Sequence, residues 1–236
     1  MLQVNPIAYT RFQSDLFEYL TGFRSESAAT GPDALAEAAG RQCYEAWERK
    51  NPTTATNRGY LANILNHQHY SVLEHSSVTF LIQGVSRSLL AELTRHRHLS
   101  FSVESQRYVD QTGEEAVVPP ALRGTDLEGD LQAFHNQALD LYVQVRNELT
   151  ELGVPRKQAR EAARAFLLNA QPVGMVVTGN LRAWREVLTK RYHIAADAEI
   201  QELAGELLTW LRSIAPQSFQ DFGSDPIGNE VIRRAA

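Results

Sequence analysis

Apolar side chains recur every three or four positions along much of the chain, a spacing typical of helices that bury one face. A stripe of this kind between Leu131 and Leu152 predicts a long helix over about 127–152. Asp33, Asn180 and Asp197 stand where side chains commonly cap the first turn of a helix. Comparable patterns predict further helices over residues 33–50, from Thr56 or Asn57 onward, and over 86–94, 156–168, 180–191 and 197–216.

Apolar runs rich in β-branched and aromatic residues predict strands over residues 2–9, 78–85 and 172–178. Pro6 weakens the first of them, because proline cannot donate to a ladder. Shorter β-prone pieces lie within 107–118, and the polar segment 67–77 is interpreted as a loop. No repeat, heptad run or linker divides the chain. We therefore predict one α/β (α+β) domain over residues 1–236, predominantly helical with a small central sheet.

Composition adds the broad class and the expected compartment. The chain is 43% hydrophobic and 22% charged, which is ordinary for a globular protein. No apolar run approaches the roughly 18 residues of a membrane span, and the first residues do not resemble a signal peptide. Cys43 is the single cysteine, so an internal disulfide cannot form. These features lead us to expect a cytoplasmic protein without a membrane segment.

The charge is unevenly distributed along the chain. The net charge is 23 − 28 = −5, which argues against general binding of nucleic acid. Residues 156–164 nevertheless carry four positive charges and one negative charge, and residues 182–191 do the same. Basic islands in an acidic protein indicate small anionic ligands.

The segment RHRHLSFSVESQRY, residues 95–108, has the densest concentration of chemically useful side chains. Its three arginines repel one another unless anions neutralise them, and arginine binds phosphate through two parallel hydrogen bonds. The segment follows a predicted helix, so a solvated basic helix end is the alternative.

Three other kinds of site are weaker alternatives. Ser105 lacks the G-x-S-x-G elbow of many hydrolases, and the chain has neither a P-loop nor a G-x-G-x-x-G turn. A metal hydrolase would need a divalent cation beside these arginines and has no HExxH here, so we expect no metal. A nucleic-acid module could stack bases on Phe101, but the net charge opposes it. The metal hypothesis rests on a group of histidines, namely His67, His69, His75, His96 and His98.

Four segments in the same order resemble the flavin-dependent thymidylate synthases. Residues 95–107 resemble the family signature, in which RHR is followed by seven residues, a serine, one further residue and an arginine. The other three are HYSVLEHSSVTF at 69–80, RKQAREAARAFL at 156–167 and VVTGNLRAWREVLTKR at 176–191. Together they cover most of the chain from residue 51 to residue 222, which makes coincidence a poor explanation.

The resemblance implies the fold of that family and a homotetramer whose active sites are shared between subunits. It implies non-covalent FAD and the reductive methylation of dUMP to dTMP, a step of nucleotide biosynthesis. The carbon would come from 5,10-methylenetetrahydrofolate and the hydride from reduced flavin, which NADPH regenerates. A flavin- or nucleotide-binding relative that has lost methylation remains the second hypothesis.

By resemblance, the FAD-binding positions are His69, Ser71, Arg95, His96, Arg97, Asn180, Leu181 and Arg182. The dUMP-binding positions are Glu92, Leu93, Thr94, Arg95, Glu104, Ser105, Gln106, Arg107, Arg164 and Arg191. Uracil C5 becomes nucleophilic only when negative charge rests on the ring oxygens, and a guanidinium facing them stabilises that charge. We assign this catalytic role to Arg191. Ser105 is expected to hydrogen-bond the nucleotide and not to attack it, because no base is evident beside it.

Two positions depart from the family pattern. Val103 stands where the family commonly has Glu or Gln, and Glu104 follows one place out of register. Glu186 stands where His or Asn is common. We expect Glu186 to point away from the ligands or to pair with Arg182.

Overall fold

A computed structural model describes residues 1–26, 28–48 and 51–228 of the chain. The strands are β1 (Gln3–Tyr9), β2 (Ser77–Ser86), β3 (Ser100–Val103) and β4 (Pro172–Asn180). The helices are α1 (Ser14–Thr21), α2 (Gly31–Gln42), α3 (Asn57–Asn66), α4 (Arg87–Leu93), α5 (Asp126–Glu151), α6 (Arg156–Ala163), α7 (Leu181–Arg191) and α8 (Ala198–Ile214). Short 3₁₀ turns cover Pro52–Thr54, Tyr70–His75, Pro120–Leu122 and Arg164–Phe166.

The four strands form one small sheet in the order β1-β2-β4-β3. At one end of the first pair, Thr10 N donates to Ser77 O at 3.0 Å, and at the other end Gly84 lies against Met1. One strand therefore runs against the other, and the remaining neighbours pair in the same antiparallel sense. Buried and half-buried positions alternate along most of β2 and β4. The predicted helical fold with a small sheet is confirmed.

The chain divides into two compact units. Unit 1 comprises Met1–Gln3, Leu81–Arg95 and Phe101–Val176, and unit 2 comprises Val4–Phe80, His96–Ser100 and the described part of Val177–Ala236. Each of the four strands begins in one unit and ends in the other. The prediction of a single domain over the whole length stays a prediction.

Helices α5 and α6 supply much of the core of unit 1. The buried face of α5 carries His135, Ala138 and Tyr142, so it is rotated from the stripe that the sequence suggested. Phe134 and Leu141, which belong to that stripe, are 58% and 46% exposed. Helix α5 thus keeps an apolar strip on the surface of the single chain. Large side chains such as phenylalanine are not often part of an exposed apolar strip.

Unit 2 is built around the indole of Trp184 on helix α7. Trp184 is fully buried, its Nε1 donates to Val78 O at 3.1 Å, and its ring meets Phe80 edge-on at 5.2 Å between centroids. Helix α8 packs against α7 and contributes fully buried leucines such as Leu203 and Leu207 to the core. These contacts fix the helix that carries Arg191.

Several predicted elements are confirmed with their capping groups. Thr56 Oγ1 accepts from Gly59 N at the start of α3. Asn180 and Asp197 accept from backbone N–H groups at the starts of α7 and α8. Strands β1, β2 and β4 and helices α4 and α5 also lie where the pattern placed them.

The role predicted for Asp33 was wrong. Helix α2 begins at Gly31 after Thr30, so Asp33 lies inside the first turn and is fully buried. Its carboxylate accepts from Gln217 N at 2.8 Å and from both Ser218 N and Ser218 Oγ, at 3.0 and 2.6 Å. The residue ties α2 to the segment after α8 instead of capping its own helix.

Other boundaries also differ from the prediction. Helix α2 ends at Gln42 and not near residue 50, because Glu45 adopts a φ of 48°, which a right-handed helix cannot continue. Lys50 itself lies outside the described residues. The helix predicted over 156–168 ends at Ala163. The segment 107–118 forms no strand, and the sequence pattern missed α1 and the four-residue strand β3.

The segment 67–77, predicted as a loop, contains the 3₁₀ turn Tyr70–His75 and reaches the first residue of β2. Helix α8 ends at Ile214, two residues before the predicted limit. Among the helices in the described ranges, none is both long enough and apolar enough to cross a membrane.

Candidate active site

Helix α7 in unit 2 holds one group of the predicted site residues. Asn180 Oδ1 accepts from Ala183 N at 2.8 Å, and Leu181 N donates to Ser76 O at 2.9 Å. The side chain of Leu181 is fully buried in the core. Leu181 therefore anchors the helix, and the Asn180 amide nitrogen is the part of that side chain not used by the cap.

Arg191 lies in the last turn of α7 and contacts the signature segment directly. Its Nε donates to Nε2 of His96 at 3.1 Å, and His96 is only 7% exposed. An imidazole nitrogen that accepts a hydrogen bond carries no proton, so this contact selects the tautomer protonated on Nδ1. The structure thus brings a residue assigned to dUMP against a residue assigned to FAD.

The acidic residues near α7 have basic partners, although not the predicted one. Glu186 Oε1 accepts from Lys190 Nζ at 2.5 Å, whereas Arg182 Nη1 donates to Glu74 Oε1 at 2.5 Å. The alternative in which Glu186 pairs with Arg182 was therefore wrong, because Lys190 is one helical turn away on the same face. The hydrogen bond from Lys190 is the largest cause that lowers the pKa of Glu186, and the charge of Lys190 lowers it further, while burial acts in the opposite direction.

His69 and Ser71 are exposed at the turn Tyr70–His75. The rings of His67 and His69 lie 5.8 Å apart between centroids. Across the described ranges, no group of three or more His, Cys, Asp or Glu side chains is arranged to hold a metal ion.

Arg95 and Arg97, on either side of His96, are both exposed. Within the part of the chain that the structure describes, neither guanidinium forms an ion pair. Arg95 belongs to unit 1 and Arg97 to unit 2. Two exposed arginines without a carboxylate partner are well suited to phosphate oxygens.

Unit 1 holds the second half of the signature. Glu104 N donates to Gly174 O at 3.0 Å, and the Glu104 carboxylate accepts from Gln111 Nε2 at 2.9 Å. Gln106 Nε2 donates to the same glutamine side chain at 3.4 Å. Val103 is half-buried in β3, so the departure from the family pattern places an apolar side chain in the sheet.

The hydroxyl of Ser105 accepts from Arg107 N at 3.4 Å, and its carbonyl accepts from Tyr108 N and Val109 N at 3.0 and 2.9 Å. Ser105 therefore begins a tight turn. Its Oγ has no hydrogen bond to a histidine or carboxylate in the described part of the chain. Arg107 Nε lies 2.7 Å from Glu161 Oε2 as an ion pair without hydrogen-bond geometry.

The predicted residues at the end of α4 differ in what they offer. Leu93 is fully buried, and Thr94 Oγ1 donates to Leu90 O at 2.9 Å, so both side chains serve the helix. Glu92 is half-buried. Arg164 is exposed on the 3₁₀ turn Arg164–Phe166.

Arg87, at the start of α4, was missed by the sequence analysis. Burial is the largest cause that lowers its pKa, the charge of Glu104 raises it, and the charge of Arg164 lowers it further. Its Nη2 donates to Glu104 O at 3.0 Å, while its buried Nε has no hydrogen-bond partner among the described residues. A cation at the positive end of a helix is electrostatically unfavourable. An arginine at the start of a predicted helix was therefore the sequence feature that could have drawn attention to Arg87.

Comparison with known proteins identifies the family. Residues 27–217 match the family model described as thymidylate synthase complementing protein. A probable flavin-dependent thymidylate synthase of Mycobacterium phage D29 is 53% identical over 210 residues, covering 85% of this chain and 88% of the relative. The flavin-dependent thymidylate synthase of Mycobacterium tuberculosis (strain ATCC 25618 / H37Rv) is 46% identical over 205 residues, 82% of this chain and 81% of the relative.

A solved structure shares the fold. The crystal structure of Thymidylate Synthase X from Helicobacter pylori with FAD and dUMP superimposes with a TM-score of 0.64, at 22% identity, over 94% of this chain and 98% of that one. At this identity the likeness speaks for the fold alone. The matching family model and the close relatives over more than four fifths of its length show that the chain belongs to the flavin-dependent thymidylate synthases.

Proposed function

We propose that this chain performs the reductive methylation of dUMP to dTMP with FAD, 5,10-methylenetetrahydrofolate and NADPH. The carbon comes from methylenetetrahydrofolate, and NADPH returns the flavin to its reduced form. The observation that carries the proposal is the contact between Arg191 and His96, which are 95 positions apart in the chain. This contact joins the arginine assigned to uracil with the histidine assigned to flavin, in a chain that belongs to the flavin-dependent thymidylate synthases.

The residues present fit FAD. Its diphosphate needs cations and N–H donors, and Arg95 and Arg97 offer exposed guanidiniums without an ion pair in the described ranges. Arg182 shares one N–H group with Glu74 and has other donors in its fork. We assign the holding of FAD to these arginines together with Asn180 and His96. When bound and reduced, FAD supplies the hydride of the reaction.

The role of Arg191 follows from its hydrogen bond. Nε is engaged with His96 at 3.1 Å, and we assign the contact with the uracil oxygens to the same guanidinium. A guanidinium whose plane is fixed by a neighbour can stabilise negative charge on a planar ring without reorganising. His96 is therefore a positioning residue for Arg191 as well as a flavin residue.

The nucleotide phosphate is assigned to arginines of unit 1. Arg164 is exposed, and Arg107 is tied to Glu161 at the surface. Ser105 is assigned a hydrogen bond to the nucleotide, because among the described residues no histidine or carboxylate is bonded to its hydroxyl and could remove its proton. Glu104 stays among the nucleotide residues that we propose, although its carboxylate accepts from Gln111 and its backbone pairs with Gly174 and Arg87.

We also propose a homotetramer, which acts in the cytoplasm. Support comes from the exposed apolar strip of α5, which comprises Leu127, Phe134 and Leu141 at intervals of seven residues. Residues spaced by seven lie on one face of a helix. A strip of this kind suits burial against a second copy of the chain.

The experiment begins with the purified chain and its absorption spectrum. Denaturation should release free FAD, because no cysteine lies in the signature to tether it. Addition of dUMP tritiated at C5, methylenetetrahydrofolate and NADPH should then release tritium into water and form dTMP. A colourless protein that takes up no FAD would overturn the proposal, and a yellow protein that releases no tritium would support the relative without methylation.

A further inference from the structure

Unit 1 contains a cavity of about 420 Å³ where helix α5 ends and helix α6 begins. Arg146, Arg156 and Arg160 line it, together with Asp110 and Glu151. None of these residues belongs to the sets assigned to FAD or dUMP. The volume lies within the range of pockets that hold small ligands.

Arg160 forms the fixed wall of the cavity. Its side chain is only 5% exposed. Nη1 donates to Tyr108 O at 2.6 Å and Nη2 to Asp110 Oδ2 at 2.9 Å, whereas the buried Nε has no hydrogen-bond partner among the described residues. A buried guanidinium normally has its charge and donors matched, and this one is matched only in part.

The imbalance grows because Asp110 is shared. Arg146 Nη1 donates to the same Oδ2 atom at 2.6 Å, so one carboxylate serves two guanidiniums. Arg156 is exposed and forms no ion pair within the described ranges, and Glu151 is the only other acid in the wall. The wall thus carries three positive and two negative charges. Positive charge is in excess around Arg146 and Arg160, which share the carboxylate of Asp110.

Asp110 is itself held in the charged form. Burial raises the pKa of its carboxyl, but the hydrogen bond from Arg160 and the charges of Arg146 and Arg160 outweigh burial and leave the pKa lowered. The internal carboxylate therefore already occupies one anion position. Arg146 also donates from Nε and Nη2 to Asn147 Oδ1 at 3.2 and 3.1 Å, and this amide oxygen is neutral, so neither Arg146 nor Arg156 has an acid of its own in the wall.

We propose that this cavity is an anion site, which takes a compact ligand of the phosphate or carboxylate class through Arg146 and Arg156. Arg156 is also the first residue of α6, so the positive end of that helix adds to the attraction. Arg160 and Asp110 form the rigid back of the site and do not need to move. The site rests on contacts inside unit 1 and is independent of the proposed reaction.

The test is calorimetric titration of the full chain as purified, with and without saturating dUMP, at constant ionic strength. Inorganic phosphate and citrate are injected separately, so that the two arms distinguish a phosphoryl from a carboxylate ligand. Arg156→Gln and Arg146→Gln should each weaken the tighter-binding anion by about tenfold or more, as expected for loss of a charge-assisted hydrogen bond. Asp110→Asn should tighten binding, because it removes the competing carboxylate.

Arg58→Gln is the matched control, since it makes the same charge change at an exposed position of unit 2. It should bind both anions as the unchanged chain does. Arg156→Gln is the decisive variant, because its exposed side chain is not part of a described ion pair and the fold does not depend on it. The proposal is overturned if neither anion binds, if Arg156→Gln and Arg58→Gln behave alike, or if dUMP abolishes the binding.

Discussion

The Nε atom of Arg191 lies 3.1 Å from Nε2 of His96, and the geometry makes the arginine the donor and the neutral imidazole the acceptor. Arg191 ends a helix whose first residue, Leu181, is fully buried, and His96 is itself nearly buried. The contact therefore holds a guanidinium between two well-anchored elements of unit 2. A precisely oriented fork of donors is what a planar uracil ring would require.

Arg191→Lys should retain the fold and bound FAD but lose most turnover of dUMP. A lysine offers a flexible point charge, whereas a guanidinium offers the planar fork of donors that the proposed contact with the ring requires. Removal of one such donor in other enzymes costs roughly 100- to 1,000-fold in rate. The measurement is tritium release from C5-labelled dUMP.

Lys190→Ala is the matched control for Arg191→Lys. Lys190 is 60% exposed and pairs with Glu186 one turn earlier, so its loss should change the rate little. If both variants show the same mild effect, Arg191 is only a favourable charge at the end of a helix and its catalytic assignment is wrong.

His96→Leu should lower the rate by acting on Arg191. Leucine fills similar space but offers no acceptor for Nε, so the guanidinium loses one of the contacts that orient it. A double-mutant cycle with Arg191→Lys measures the coupling, which should be about 0.5–3 kcal/mol if the two residues act as a unit. Additive losses would show that His96 affects the reaction only through flavin binding, which the FAD content of each variant reports separately.

Local signals explain what could be predicted from the sequence. Asn180 and Asp197 cap helices through N–H groups two or three residues away, so a short window contains the whole interaction. Asp33 had the same local appearance, but its partners lie at Gln217 and Ser218, more than 180 positions away. Only the folded chain reveals that pairing.

The residues of the candidate site likewise divide into those that the sequence could identify and those whose contacts depend on the fold. The resemblance selected both His96 and Arg191, but it placed them with different ligands and could not indicate their hydrogen bond. Arg87 escaped notice because it stands outside the four matching segments, and its proximity to the charge of Arg164 depends on the packing of unit 1. The short strand β3 lies inside the signature, where the density of polar side chains conceals its alternation.

Ser105→Ala should retain methylation with a several-fold loss. Within the described ranges its hydroxyl accepts only from Arg107 N at 3.4 Å, a long bond, and it is bonded to no histidine or carboxylate that could act as a base. Loss of one neutral hydrogen bond costs on the order of 1 kcal/mol. A trapped covalent adduct between dUMP and Ser105, or complete loss of turnover with normal dUMP binding, would reverse this assignment.

Phe134→Asp should weaken the expected tetramer. The side chain is 58% exposed in the single chain, and a carboxylate placed in an apolar interface would be buried without a partner. Sedimentation should show smaller species, and FAD should bind less tightly if the sites are shared between subunits. Asn136→Asp is the control, because it adds the same charge two residues away on a different face of α5. An unchanged tetramer in Phe134→Asp would exclude this strip from the interface.

The buried carboxyl of Asp33 leads to a prediction about how the free energy of unfolding depends on pH. Burial is the largest influence on its carboxyl and raises the pKa above the ordinary 3.8, although hydrogen bonds from Ser218 and Gln217 oppose the shift. Between the unfolded and folded pKa values the native state binds more protons, so the contribution of Asp33 to stability falls as the pH rises through that window. Asp33→Asn removes the titration and should flatten this part of the profile. Urea unfolding followed by circular dichroism from about pH 4 upward measures it, with the exposed Asp225→Asn as control. A slope unchanged in Asp33→Asn, or flattened equally in Asp225→Asn, would mean that the buried carboxyl is not the group responsible.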